Sequence, residues 1–392
     1  MEYLCRFAYV ISGITMSATR IHINPNILIW AIERVGKTVD EYIEENPKFQ
    51  YWLDGSKLPT FKNVEQFAHK FYVPLGYMFL DNPPEETCPI PFFRSIDDKA
   101  HNINVYDTIK EMQERQEWLS DYLKKSGFDK VGYVGTFTPH DKIQSVCDRI
   151  REILNLPYNW AFGYNQIDSA LKHITGRIED CGTIVSFNSV VGFNNTRPLP
   201  VKDCRGFALI DDYAPFIFVN SKDAKVAQMF TLIHEFAHVL TGYSAGVGEA
   251  ETESLSETER FCDKVAANFL VPDLLLKEEW DSGLGENYEV LSKKFKVSRF
   301  VIARRAMELG FISNARYFYC IKKWKNEALQ DVAKSASGGN FYLSAIKKSS
   351  RTFLAHVNNA LNRDMLLHMD AYRLTGLKGD TFHKILNSSS FV

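Results

Sequence analysis

The residues best suited to chemistry lie in FTLIHEFAHVLTG, positions 230 to 242. His234 and His238 are four apart, so on a helix both imidazoles project from one side a turn apart. Two nitrogens placed in that way suit one Zn²⁺ at ~2.0–2.1 Å. Glu235 stands beside such an ion without ligating it, where a carboxylate can take a proton from an attacking water. So short a pattern recurs by chance, and the bland alternative is two histidines satisfied by hydrogen bonds in a polar helix seam.

A catalytic zinc site needs a third protein ligand and an open fourth position. ETERFCDKVAANFLVP, residues 257 to 272, offers the ligand. Glu259 begins the inward face of this predicted helix, and Asp263 follows one turn later on the same side. A carboxylate there can accept the other ring N–H of a metal-bound histidine, fixing its tautomer. Glu259 is therefore the expected ligand and Asp263 the expected support behind it. Three alternatives stay open. Glu259 could instead close an S-x-x-E capping box from Ser256, although Ser254 and Glu257 fit that pattern equally well. Glu249, Glu251 and Glu253 are rival ligands in a predicted connecting loop, and Cys262 could reach a metal or be a small buried apolar residue.

These side chains need a scaffold. Val226, Met229, Phe230, Ile233, Ala237 and Leu240 recur at spacings of three and four, which predicts an amphipathic helix over 223–240 with one buried face. A second helix over about 254–270 stops at Pro272. Before them, GTIVSF (182–187), RGFALID (205–211) and APFIFVN (214–220) are β-branched and aromatic runs bounded by turn residues, and read as strands. APFIFVN is either an edge that pairs with an extended substrate or an ordinary interior strand. Helices are expected over 107–125, charged and exposed, and over 142–154 and 166–174.

The chain has 392 residues, 45% hydrophobic and 24% charged, an ordinary globular composition that predicts two or three packed units. No window holds about 18 consecutive apolar residues, so no membrane span is expected. Seven cysteines without a C-x-x-C pair indicate neither a disulfide framework nor a thiolate zinc ribbon, and a cytoplasmic setting is the default. Residues 1–22 read as a non-secretory leader, expected to be disordered, in which Met16 offers a second start. Residues 23–82 read as short helices with turn signals in a helix-turn-helix arrangement, including a capping box at Thr38 and Glu41. Then come a linker and helical region (83–180), a peptidase core with a second helix-turn-helix-like stretch (181–334), a flexible joint at SASGG, and a helical carboxyl-terminal region (335–392). The expected class is α+β, mainly helical, with a small sheet beside the H-E-x-x-H helix.

Taken together, PLGYMFLDNPPEE, PIPFFRS, RGFALIDDYAPFIFVN, FTLIHEFAHVL, ERFCDKVAANFLVP and FKVSRFVIARRAMELGFI resemble the ImmA/IrrE-type metallopeptidases, in the branch with an amino-terminal Xre-like helix-turn-helix. The resemblance covers nearly the whole chain after about Ile23. It implies a zincin-like core and a zinc-dependent endopeptidase that cleaves a transcriptional repressor, often in stress or mobile-element control. It also implies that His234, His238 and Glu259 are ligands and Glu235 the general base.

Charge separates the two helix-turn-helix signals. Residues 26–71 hold six Lys+Arg and seven Asp+Glu, and the stretch corresponding to a recognition helix, KFQYWLD, holds one basic residue. A DNA reader needs phosphate neutralisation, so packing or partner recognition is the expectation there. Residues 289–350 carry 13 Lys+Arg against 4 Asp+Glu, which is either an electrostatic footprint for DNA or the solvated face of scaffold helices. The overall charge of −2 hides a net −9 over 1–272 and +7 over 273–392. The rival to an enzyme is a non-catalytic Xre-type regulator that holds a partner protein or DNA.

Overall fold

The computed structural model describes residues 19–86, 99–243, 253–280, 287–330 and 341–386. Most of the expected leader, PIPFFRS, Glu249, Glu251 and the SASGG joint lie outside the described residues. The chain divides into two compact units, the first mainly residues 1–87 and the second mainly 104–392.

The first unit contains helices α1 (Pro25–Arg34), α2 (Val39–Glu45), α3 (Gln50–Leu53) and α4 (Phe61–Lys70), with 3₁₀ turns at Pro47–Phe49 and Leu75–Phe79. The expected capping box is present: Thr38 Oγ1 accepts the Glu41 N–H while Glu41 accepts the Thr38 N–H at 2.8 Å. The aromatic character of KFQYWLD has a packing cause. Phe49 is buried and stacks on Phe67 with centroids 5.5 Å apart, and Tyr42 meets it edge-on at 4.9 Å. Only four residues of this segment form α-helix, a short platform for reading a groove. Thr19 to His22, expected in the leader, are described here, with Arg20 bridged to Thr60 and the Ile21 N–H donating to Pro59 O.

The second unit is mainly helical with a small mixed sheet. Helices α5 (Lys99–Lys125), α6 (Ile143–Leu154) and α7 (Ile167–Asp180) precede β1 (Ile184–Asn188). A two-stranded hairpin of β2 (Val190–Val191) and β3 (Asn194–Pro198) follows, a feature the sequence pattern did not reveal. Then come β4 (Gly206–Leu209), β5 (Phe216–Asn220), α8 (Lys225–Thr241), α9 (Glu253–Leu270), α10 (Asp273–Glu279), α11 (Tyr288–Phe295), α12 (Arg299–Glu308) and α13 (Asn314–Gln330). The last four helices are α14 (Phe341–Ser349), α15 (Arg351–Asn362), α16 (His368–Thr375) and α17 (Gly379–Leu386).

The main sheet has the order β1-β5-β4, with β5 parallel to β1 and antiparallel to β4. APFIFVN is therefore the central strand, and the edge reading is corrected: both its ladders are taken by its own neighbours. Its alternation explains why the run reads as continuously apolar. Ile217 and Val219 face a core with α6–α13, whereas Phe216 and Phe218 face a second core with α5 and α14–α17. The carboxyl-terminal helices thus cover one face of the sheet.

Helix α5 also differs from expectation. It begins earlier and is only partly exposed, because Val105, Ile109, Met112, Leu119 and Tyr122 are buried in the second core. Its inward polar groups find backbone partners: Arg115 Nε donates to Leu374 O at 2.8 Å, and Gln116 Nε2 donates to Leu209 O at 2.8 Å and Ala214 O at 2.9 Å.

Candidate metal centre

Helix α8 runs from Lys225 to Thr241 without Gly or Pro and stops at Gly242, whose φ of +75° suits the left-handed cap. A Cβ at Gly242 would lie 2.9 Å from Gly135 Cα, so both glycines permit a close crossing. That crossing lets the Gly135 and Phe137 N–H groups donate to Val239 O and Leu240 O at the helix end. The expected single buried face is corrected as well. Every residue from Thr231 to Thr241 is buried, because α8 lies between the sheet and α9 and is apolar nearly all round.

Within this dry helix, His234, Glu235 and His238 are almost fully buried. The two Nε2 atoms are 3.2 Å apart. Glu259, on α9, reaches both: Oε2 is 3.1 Å from His234 Nε2 and Oε1 is 3.3 Å from His238 Nε2. On the other side of the His234 ring, Nδ1 lies 3.0 Å from Asp263 Oδ1. The sequence-expected residues therefore converge from two helices, with Asp263 behind His234 and not among the facing atoms.

Three observations fit a metal ion here. A tetrahedral ion with bonds of ~2.0–2.1 Å spaces its ligand atoms by roughly 3.3 Å, close to the three separations found. One atom from each of His234, His238 and Glu259 lies within 4.8 Å of the others. Both Glu235 carboxylate oxygens are buried with no hydrogen-bond partner among the described residues, a costly state unless something outside the chain supplies one.

The charge states agree with this geometry. Burial works to raise Glu259, but hydrogen bonds from His234 and His238 hold it at about 2. Burial works to lower His234, yet Asp263 and Glu259 carry it to about 10. His238, buried and beside His234, is pushed down. Burial raises Glu235 to about 8, against the pull of His234. The pocket thus stabilises positive charge at its centre.

Ser254 and Ser256 lie inside α9, so neither is the residue before the helix that a capping box requires, and Glu259 sits nearly two turns in. Cys262 is fully buried in the apolar core and plays the bland part, its thiol pushed up by burial. Glu253 begins α9 and is not in the loop.

Gly206 was not singled out by the sequence pattern. It opens edge strand β4, and a Cβ there would come within 2.5 Å of Thr231 Cγ2, 2.8 Å of Phe218 O and 3.3 Å of Glu235 Oε1. An isolated glycine at a strand start was the available signal for such a close approach.

The basic stripe of the second helix-turn-helix-like stretch is largely engaged within the unit. Arg299 pairs with Glu289 at 3.0 Å and Arg304 with Glu308 at 3.1 Å, and Lys294 pairs with Glu279. Buried Arg305 donates to Asn268 Oδ1 at 2.8 Å and pairs with Asp273 and Glu308.

Residues 195–307 match the model of peptidase family M78, described as the IrrE N-terminal-like domain. That span contains all five expected site residues and runs on through α11 into α12. It supports the ImmA/IrrE resemblance and a metallopeptidase-type domain. Residues 349–388 match a domain of unknown function, DUF8813. No curated protein matches the chain.

Proposed function

We propose that the protein is a zinc-dependent endopeptidase that hydrolyses a peptide bond in one regulatory protein, a helix-turn-helix repressor or antitoxin-like partner, in the cytoplasm. The observation that carries the catalytic part is the convergence of His234, His238 and Glu259 beside an unpartnered, buried Glu235. The matched metallopeptidase domain supports it. The choice of a regulatory substrate rests on the family resemblance. Among the described residues no helix is long and apolar enough to cross a membrane.

His234 and His238 would hold the ion through Nε2 and Glu259 through its carboxylate, while Asp263 orients the His234 ring from Nδ1. A Zn²⁺ held there would supply Lewis-acid polarisation of the scissile carbonyl and acidify the attacking water. Glu235 accepts the proton of the attacking water and passes it to the leaving amine nitrogen. Burial raises Glu235, and the charge of a bound Zn²⁺ would favour the ionised carboxylate that this step needs. Gly206 gives the start of β4 the space to lie against Glu235, which places an edge strand where an extended substrate could pair beside the reacting groups.

The test is incubation of the zinc-loaded full chain with the helix-turn-helix proteins encoded nearest its gene. One cut is expected, abolished by a chelator and restored by zinc. Cleavage that ignores the chelator, or stoichiometric zinc with an intact neighbour, contradicts the reading.

A further inference from the structure

A groove of about 580 Å³ opens between α5 and the connection from α15 to α16, on the face of the sheet turned away from α8. Its size falls within the roughly 300–1,000 Å³ of functional pockets. The floor is apolar and fixed by packing. Trp118 stacks on Tyr122 with centroids 5.5 Å apart and meets Phe353 edge-on at 5.7 Å, and Leu374 belongs to the core beneath. The facing wall is fixed by its backbone. Asp364 takes a left-handed φ of +55°, its N–H donates to Leu361 O at 3.1 Å, and the Met365 N–H donates to Ala360 O at 2.9 Å. That turn leaves Met365 and Leu367 outside the core, Leu367 being 72% exposed. A single exposed apolar side chain is ordinary, but two beside a tryptophan-floored groove make a patch that a partner can cover.

Charge decides which partner fits. Glu114, Glu117 and Asp121 are spaced by three and four, so they stand on the Trp118 side of α5, and Asp364 joins them from the other wall. Among the described residues none of these four carboxylates has an ion pair or a side-chain hydrogen bond. Asp370 and Arg373, also at the groove, pair with each other at 3.8 Å, which leaves Lys125 as the remaining cation lining it. We propose that this groove docks a basic amphipathic segment of a partner protein, which lays apolar side chains on Trp118 and Leu367 and sets its Lys or Arg side chains against Glu114, Glu117, Asp121 and Asp364. The wall from Asp364 to Leu374 falls in the matched domain of unknown function, residues 349–388, and the proposal gives that domain a part in recognition. Nucleic acid phosphates would be repelled by the same carboxylates. The groove lies across the sheet from the metal centre, so the proposal stands whether or not a bond is cut there.

The test measures binding to the full chain. A fluorescein-labelled peptide that alternates Lys-Lys with Leu-Leu is titrated with the protein and followed by fluorescence anisotropy. Saturable binding is expected, weakening as salt is raised. Serine in place of its leucines should weaken it about tenfold or more, the scale of burying one apolar side chain, and glutamate in place of its lysines should abolish it. Glu117→Lys together with Asp121→Lys, two exposed side chains whose change leaves the core alone, should cost about tenfold or more. Leu367→Ser should weaken the leucine peptide and not the serine one. Glu65→Lys together with Glu278→Lys, the same charge change at exposed positions outside the groove, should alter binding little. No saturable binding, equal binding of the leucine and serine peptides, or an equal loss in the two charge-reversed pairs overturns the docking site. None of these results bears on the metal centre.

Discussion

Asp263 Oδ1 lies 3.0 Å from Nδ1 of His234, on the opposite side of the ring from the nitrogen that faces Glu259 and His238. In the proposed site that carboxylate would fix which ring nitrogen is free to ligate and make that nitrogen more basic. Asp263 is about half exposed, so the fold does not depend on it. Asp263→Ala is expected to weaken zinc binding about 10- to 100-fold, with little change in the melting temperature of the metal-free chain. Competition with a chromogenic chelator measures the affinity, and an unchanged value would contradict the assigned role.

Each half of the candidate metal centre was legible because it depends on helix period. His234 and His238, and separately Glu259 and Asp263, are i and i+4 pairs, and any helix places such pairs on one side. What was not legible depends on tertiary neighbours. FIFV in β5 is apolar on both faces, and apolarity cannot tell a central strand from an edge one. Helix α5 reads as exposed because Arg115 and Gln116 look like surface residues until Leu374 O, Leu209 O and Ala214 O accept their protons. The packing of α12 against α9, where Arg305 donates to Asn268 Oδ1, is likewise something no local pattern announces.

Arg305 distinguishes a scaffold from a DNA reader. It is nearly buried and joins α12 to α9 and α10 through Asn268, Val271 O and Asp273. Removing it strands those partners, so Arg305→Ala should cost about 2 kcal/mol or more in urea unfolding. A variant of wild-type stability that had lost DNA retardation would instead mark this stretch as a nucleic-acid surface.

Glu179 carries a pH dependence that is separate from the metal centre. Burial raises its carboxyl to about 7, although Ser350 donates a hydrogen bond to it. The folded chain therefore holds this proton up to a higher pH than the unfolded chain, whose ordinary value is near 4.5. Its contribution to stability is complete below about 4.5 and is lost as pH rises through 7. Glu179→Gln keeps the shape and removes the titration. In urea unfolding across this range, the variant should gain on the wild type as pH rises and level off above 7. A constant difference between the two would count against a buried, proton-holding Glu179.

In the proposed mechanism Glu235 moves the proton while His234, His238 and Glu259 hold the ion. Zinc content and cleavage of the neighbouring regulator, measured side by side for wild type and Glu235→Gln, test it most directly. The expected result is one zinc per chain in both proteins and cleavage by the wild type alone. Cleavage by the zinc-loaded variant at the wild-type rate would contradict it.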